Sequence, residues 1–160
     1  MIRVGILTAS TLGARGERED TSGAAIRELV AQIDGKIEAY QLVTDDRETI
    51  SAVLRAWSDD LDVDLILTTG GTGLSPTDVT PEATRDVIQR EVPGIAEAMR
   101  LEGLKQTPRA MLSRGIAGLR GRTLIVNLPG SPKGVRESLG AILDVLPHAL
   151  EILQRRPTDH

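Results

Sequence analysis

Residues 63–73 have the sequence VDLILTTGGTG, an apolar run that ends in a loop containing three glycines. The run predicts a buried strand over Val63–Thr69, because a short apolar segment followed by turn residues is typical of a parallel sheet. Glycines after a strand allow positive φ angles and let backbone N–H groups approach an anion closely. Such a loop is more often only a turn, and this one is neither a P-loop nor a dinucleotide fingerprint.

The rest of the chain alternates strand and helix patterns around this stretch. Further strands are predicted over residues 2–8, 36–43 and 123–128, and helices from Asp20 or Thr21, from Asp46, over 81–90, over 95–104 and over 132–150. Strands joined by helical crossovers predict an α/β fold with three layers, α/β/α, around a mainly parallel central sheet. No repeat or Pro/Gly-rich linker interrupts the sequence, so we expect a single domain over residues 1–160.

The composition narrows the possible chemistry. The chain has no cysteine, which excludes disulfides and thiolate sites and suits a reducing compartment such as the cytoplasm. We expect neither an export signal nor a membrane span. A net charge of −4 argues against general nucleic-acid binding. The two histidines, His148 and His160, show no partner pattern for a metal site or a catalytic triad. The lone tryptophan, Trp57, falls on an apolar helix face and is expected in the core.

The positive charge is concentrated in one segment. Residues 100–136 contain eight basic side chains and one acid, Glu102. An anionic ligand would be drawn to this segment. A solvated surface is the simpler interpretation of the same charges.

Polar loops follow three of the predicted strands, at 44–46, 70–73 and 129–133. Carboxyl ends of parallel strands meet at one sheet edge, where ligands bind and where helix N-termini attract phosphates. Asp45 and Asp78 are the carboxylates that a Mg²⁺ site would require, because this ion takes one or two carboxylates plus phosphate oxygens. Asp46 is better explained as a helix cap. For Asp78, a role in turn 75–78 and a functional role are equally supported.

At these residues the sequence resembles a known family. Segments LILTTGGTG (65–73) and DVTPEAT (78–84) are similar to the signature of the MogA/MoaB proteins of molybdenum cofactor biosynthesis, which include plant Cnx and gephyrin G domains. The resemblance continues through 108–114, 118–121 and 127–132 and covers nearly the whole chain. It implies a Mg-dependent molybdopterin adenylyltransferase that uses ATP. It also implies a homotrimer or hexamer and handover of the product to a molybdate-insertion enzyme.

The resemblance also implies roles for individual residues. Asp45 and Asp78 match the catalytic, metal-binding aspartates, although Thr44 stands where the family usually has proline. A nucleotide-binding role is implied for Ser10, Asp20, Gly70, Gly71, Thr72, Gly73, Pro129 and Gly130. A molybdopterin-binding role is implied for Ser113, Arg114 and Lys133. We expect the substrate phosphate to act as the nucleophile, because it is already ionised near neutral pH and needs no protein base.

Three other functions fit the same sequence. The chain could be a catalytically silent carrier or scaffold for molybdopterin, an enzyme with different chemistry on the same fold, or a nucleotide-binding regulator. The retained pair of Asp45 and Asp78 favours the enzyme.

Overall fold

Six strands form one sheet in the computed structural model, which describes residues 1–154; His160 lies outside this range. The strands are β1 (Ile2–Ala9), β2 (Gly35–Val43), β3 (Leu65–Thr69), β4 (Arg90–Glu91), β5 (Ala117–Arg120) and β6 (Thr123–Leu128). Their order across the sheet is β2-β1-β3-β6-β5-β4. The first four strands of this order are parallel, while β5 and β4 are antiparallel to their neighbours.

Helices cover both faces of the sheet. They are α1 (Thr11–Ala14), α2 (Thr21–Ala31), α3 (Arg47–Asp59), α4 (Thr80–Arg85), α5 (Pro93–Leu104), α6 (Pro132–Ile142) and α7 (Leu146–Gln154). One apolar core lies between the sheet and α2, α5, α6 and α7, and a second core lies between the sheet and α3 and α4. The predicted three-layer fold with a mainly parallel sheet is therefore confirmed.

Helix α3 shows how the sequence pattern produces the second core. Ile50, Leu54 and Trp57 recur at helical spacing and are buried against the sheet. Trp57 is 7% exposed, which confirms its predicted place in the core. Its ring lies against Gly5 of β1, where a Cβ would come within 2.7 Å of Trp57 Cε3.

Helices α2, α3 and α6 each begin at a capping side chain, and the predicted cap at Asp46 is confirmed. Asp20, Asp46 and Ser131 accept hydrogen bonds from the backbone N–H three residues later, at 2.9, 2.9 and 3.0 Å. Each bond satisfies one of the N–H groups that a helix start leaves unpaired. Asp46 therefore acts as the cap of α3.

The predicted helix over 81–90 is wrong at its C-terminal end. Helix α4 ends at Arg85, and the backbone N–H of Gln89 donates to the carbonyl of Leu119 at 2.7 Å. Residues 90–91 then pair with β5 as the short strand β4. Neither β4 nor β5 was predicted, because strands of two and four residues carry too little periodicity to be distinguished from loop.

The predicted helix over 132–150 is divided in two. Helix α6 ends at Ile142, a 3₁₀ turn covers Leu143–Val145, and α7 begins at Leu146. Pro147 explains the break, because proline cannot donate to the preceding turn of a continuous helix. The loop over 9–19 likewise contains the short helix α1.

The strand order places a crevice at the carboxyl edge of the sheet. Strand β1 has β2 on one side and β3 on the other, so the chain reverses its winding direction there. In parallel sheets, ligands bind outside the carboxyl ends of strands at such a reversal. Within the described residues, no helix is long and apolar enough to cross a membrane.

Candidate functional site

The loop after β3 is held tightly between the end of β1 and the start of α4. Gly70 and Gly71 have φ angles of +92° and +69°, a region that L side chains rarely adopt. A Cβ on Gly70 would lie 2.3 Å from the carbonyl oxygen of Ala9, and a Cβ on Gly71 would lie 2.3 Å from Thr80 Oγ1. Both backbone conformation and space therefore require glycine at these positions.

A cavity of about 300 Å³ opens above this loop at the end of β1. Its lining includes Ser10, Thr11, Asp20, Asp45, Thr69, Gly70, Gly71, Asp78 and Gly130. The structure thus brings most of the predicted nucleotide and catalytic residues into one pocket. The predicted residues Thr72, Gly73 and Pro129 instead line the adjoining pocket described below.

Asp45 reaches this pocket from the end of β2. Its Oδ2 accepts hydrogen bonds from the backbone N–H and the hydroxyl of Thr11, at 3.1 and 2.9 Å. Its Oδ1 lies 3.4 Å from the point that a Cβ on Gly71 would occupy. One oxygen is therefore fixed by α1, while the other faces the glycine loop.

Asp78 approaches the same loop from the other side. Its Oδ2 accepts a hydrogen bond from the backbone N–H of Ser75 at 3.1 Å and lies 2.8 Å from the point that a Cβ on Gly73 would occupy. Asp45 and Asp78 therefore flank the two ends of Gly71–Gly73, and both line the first pocket.

This donor set fits Mg²⁺. No group of three or more histidine, cysteine or acidic side chains that could hold a metal occurs in residues 1–154. Two carboxylates beside a glycine loop match an ion that retains water and binds substrate phosphate oxygens. Asp45 and Asp78 are the residues that could hold it.

Asp20 has both carboxylate oxygens engaged by protein groups. Oδ1 accepts from the backbone N–H of Gly23 at 2.9 Å, and Oδ2 accepts from the hydroxyls of Thr8, at 2.7 Å, and Tyr40. Burial and the adjacent Asp20 carboxylate raise the pKa of Tyr40 to about 12. The Arg27 guanidinium stacks 4.9 Å from the centre of the Tyr40 ring. Asp20 therefore fixes the start of α2 at the pocket wall.

Two helices of eleven residues begin at this pocket, α2 after Asp20 and α6 after Ser131. The Ser22 hydroxyl donates to the carbonyl of Gly130 at 2.7 Å, and this bond ties the two helix starts together. Thr69 Oγ1 donates to the carbonyl of Pro129 at 2.5 Å. Helix N-termini carry partial positive charge, so this wall favours phosphate groups.

A second pocket, of about 290 Å³, lies on the other side of the glycine loop. Its walls combine apolar and polar groups, among them Thr72, Gly73, Met99, Arg100, Arg109, Leu112, Ser113 and Pro129. Arg100 Nη1 donates to the carbonyls of Ser113 and Gly115 at 3.3 and 3.0 Å. The two pockets share the loop 70–73, so ligands in them would meet there.

The basic residues of 100–136 do not act as one surface. Arg120 and Arg122 lie at the amino edge of the sheet, opposite the glycine loop, because β5 is antiparallel to β6. Five of the eight pair with carboxylates: Lys105, Arg114, Arg120, Lys133 and Arg136. Only Arg100 and Arg109 line the second pocket. The predicted attraction of an anion to the whole segment is therefore wrong for its β5 end.

Arg114 is engaged by four acceptors. Its guanidinium contacts the Glu82 carboxylate at 2.6 and 3.2 Å and the carbonyls of Gly73 and Asp78 at 2.7 Å each. The hydrogen bond with Glu82 raises the pKa of Arg114 and lowers that of Glu82. The family motif at 108–114 predicted a functional role for Arg114, but the sequence alone did not identify Glu82 as its partner.

Comparisons with known proteins identify the family of the chain. A family model described as "Probable molybdopterin binding domain" matches residues 5–148. A molybdopterin adenylyltransferase of Helicobacter pylori (strain J99) is 42% identical over 154 residues, which cover 95% of this chain and 88% of that protein. Gephyrin of Dictyostelium discoideum is 43% identical over 96% of this chain and 23% of its own length. The crystal structure of the molybdopterin biosynthesis enzyme MoaB from Thermus thermophilus has a TM-score of 0.93 and 62% identity, and the alignment covers 98% of this chain and 99% of that one.

Proposed function

We propose that this chain, which belongs to the family of probable molybdopterin binding domains, transfers AMP from ATP to the terminal phosphate of molybdopterin. The observation that carries the proposal is the pair of carboxylates, Asp45 and Asp78, on either side of one glycine loop. The relative from Helicobacter pylori, named a molybdopterin adenylyltransferase, supports the same activity. The chain is then a nucleotidyltransferase of molybdenum cofactor biosynthesis.

Each pocket suits one substrate. The first pocket receives the triphosphate of ATP, because glycine-loop amides and the starts of α2 and α6 all meet there. The second pocket receives the pterin, since its apolar walls, the Ser113 hydroxyl and two guanidinium groups can bind a flat polar ring and its phosphate. Lys133 is exposed and pairs with Glu137, which lines this pocket, so its ammonium group would be a further phosphate contact.

The reaction forms one bond and breaks one. A terminal phosphate oxygen of molybdopterin attacks the α-phosphorus of ATP, the bond from this phosphorus to the bridging oxygen breaks, and pyrophosphate leaves with the electron pair. The attacking phosphate is already ionised near neutral pH, so no side chain has to remove a proton. The chain's contribution is to orient the two substrates and to keep the pocket groups fixed.

Asp45 and Asp78 would hold Mg²⁺ in the first pocket. When bound there, Mg²⁺ would supply positive charge that offsets the negative charge of the ATP phosphates. Asp45 is suited to this role because α1 fixes one of its oxygens and leaves the other directed at the glycine loop. Ser10 supports α1 by capping it, because its hydroxyl accepts a hydrogen bond from the backbone N–H of Gly13 at 3.1 Å.

Assembly and partners extend this proposal. We propose a single-domain chain that acts in the cytoplasm as a homotrimer or hexamer and passes its product to a molybdate-insertion enzyme. Exposed apolar side chains on α5 and on the 3₁₀ helix Pro108–Leu112 support an assembly, because Leu101 and Met111 are 65% and 62% exposed. Burying such side chains between subunits would stabilise an oligomer.

An adenylylation assay tests the activity. Purified protein is incubated with molybdopterin, Mg²⁺ and ATP labelled at the α-phosphate, and pyrophosphate release and the pterin-AMP product are measured. The wild-type chain should form both products. We expect Asp45→Asn and Asp78→Asn each to lower the rate by about 100-fold or more, because each removes a carboxylate that would hold the positively charged Mg²⁺ at the phosphates.

Asp46→Asn is the matched control. Asp46 is adjacent to Asp45 but caps α3, and asparagine caps a helix as well as aspartate does. Its rate should stay near the wild-type rate. If Asp78→Asn stayed within a few-fold of wild type at saturating Mg²⁺, the proposed mechanism would be wrong. Molybdopterin binding without pyrophosphate release by the wild-type chain would favour a carrier instead.

A further inference from the structure

One guanidinium closes the loop that carries Asp78. Arg114 Nε donates to the carbonyl of Gly73 and Nη2 donates to the carbonyl of Asp78, each at 2.7 Å, so both ends of loop 73–78 are bound to the same side chain. The backbone N–H of Arg114 also donates to the carbonyl of Thr72 at 2.9 Å. The position of Asp78 relative to the glycine loop is therefore set from a distant segment of the chain.

Glu82 fixes the orientation of this guanidinium. Its two carboxylate oxygens accept from Nη1 and Nη2 at 2.6 and 3.2 Å, a bidentate arrangement that a planar guanidinium can form and an ammonium cannot. Glu82 belongs to α4, which begins two residues after Asp78. The pair thus joins the loop to the helix that follows it.

We propose that Arg114 is a positioning residue for adenylyl transfer: it closes loop 73–78 so that the Asp78 carboxylate faces Gly71–Gly73, and Glu82 holds it in place. This inference rests on the proposed function of Asp78. Four of the five N–H donors of the guanidinium already bind protein acceptors. Arg114 therefore acts through Asp78 and leaves recognition of the pterin to the neighbouring pocket.

The chain contains a matched control for this interaction. Arg120 makes a bidentate contact with the Asp59 carboxylate, at 3.0 and 2.9 Å, and donates to the carbonyl of Val87 at 2.8 Å. This pair has the same chemistry as Arg114 and Glu82 but lies at the amino edge of the sheet, away from both pockets. Arg120→Lys therefore removes a comparable set of guanidinium hydrogen bonds without changing a residue of either pocket.

The experiment compares Arg114→Lys, Glu82→Gln and Arg120→Lys with the wild-type chain in the adenylylation assay. We expect Arg114→Lys to lower kcat by about tenfold or more, because Asp78 loses its fixed position. The Mg²⁺ concentration for half-maximal rate should rise about tenfold, as it does when partners of metal ligands are removed. The KM for molybdopterin should stay within about twofold of the wild-type value, because the contacts that bind molybdopterin in the ground state are not changed.

Glu82→Gln should have the same effects as Arg114→Lys, a lower kcat and a higher Mg²⁺ requirement. Arg120→Lys should leave both quantities near their wild-type values. A raised KM for molybdopterin in Arg114→Lys, with an unchanged Mg²⁺ requirement, would overturn the inference and make Arg114 a direct pterin contact. Equal effects of Arg114→Lys and Arg120→Lys would also overturn it, because they would indicate only a general loss of stability.

Hydrogen–deuterium exchange provides a readout that does not need activity. Peptides covering loop 73–78 should exchange faster in Arg114→Lys and Glu82→Gln than in the wild-type chain. In Arg120→Lys their exchange rate should equal that of the wild-type chain. If the wild-type chain proved inactive, the proposed function would fail while this measurement still tested the loop closure. Unchanged exchange of the loop in Arg114→Lys would contradict the inference on structural grounds alone.

Discussion

Tyr40 is the single tyrosine of the chain, and it lies next to the first pocket through its bond to Asp20. At the scale of one residue, this contact changes the role expected for Asp20. Its two oxygens already accept from Gly23, Thr8 and Tyr40, so Asp20 acts by holding the start of α2 against the pocket. The nucleotide would then contact the helix start that Asp20 fixes.

Because no other tyrosine is present, phenolate absorbance titrates Tyr40 alone. We expect a midpoint near pH 12 in the folded protein, set by burial and by the Asp20 carboxylate, against a value of about 10 in the unfolded chain. The raised pKa contributes stability that is complete below about pH 10 and is lost as the pH rises towards the folded value. A midpoint near that of free tyrosine would contradict the contact, and Tyr40→Phe, which has no phenol, provides the blank.

At the scale of elements, the glycine loop is the part of the fold with the least freedom to change. Gly70 meets the end of β1 and Gly71 meets Thr80 at the start of α4, so the loop is fixed by contacts from both sides. The Thr80 hydroxyl is buried without a hydrogen-bond partner among the described residues and lies against Gly71. A side chain at position 71 would displace it.

Gly71→Ala should therefore destabilise the chain, whereas Gly140→Ala should not. Alanine at position 71 would have a φ of +69° and a Cβ 2.3 Å from Thr80 Oγ1, at a cost of about 1–3 kcal/mol. Gly140 is exposed in α6, and a Cβ built there has no atom within 4 Å. Gly140→Ala should therefore raise the free energy of unfolding by about 0.5–1 kcal/mol. Urea unfolding followed by the fluorescence of Trp57 measures both, and equal changes for the two variants would contradict the account.

The parallel strands and the helix caps could be predicted because their signals are local. The apolar run before Gly70 and the capping side chains of Asp20, Asp46 and Ser131 are visible in a few consecutive residues. The contact between Arg114 and Glu82 could not be predicted from the sequence, because it joins residues that are 32 positions apart and meet only in the folded chain. The end of α4 was missed for the same reason, since pairing with β5 overrides its local helix pattern.

At the scale of the whole molecule, the sheet order brings the site together. Asp45 follows β2, and Asp78 follows the glycine loop after β3. In the described sheet only β1 lies between these two strands, so the two carboxylates come close together. The same edge receives the starts of α2 and α6 and both pockets. We propose that this arrangement holds one divalent ion between Asp45 and Asp78, over the glycine loop.

Binding of Mn²⁺, measured by water-proton relaxation with an ATP analogue that cannot be cleaved between its α- and β-phosphates, tests this claim most directly. We predict one tight ion per chain, with affinity lowered about tenfold or more in both Asp45→Asn and Asp78→Asn and unchanged in Asp46→Asn. Wild-type Mn²⁺ affinity in either Asp45→Asn or Asp78→Asn would contradict the account.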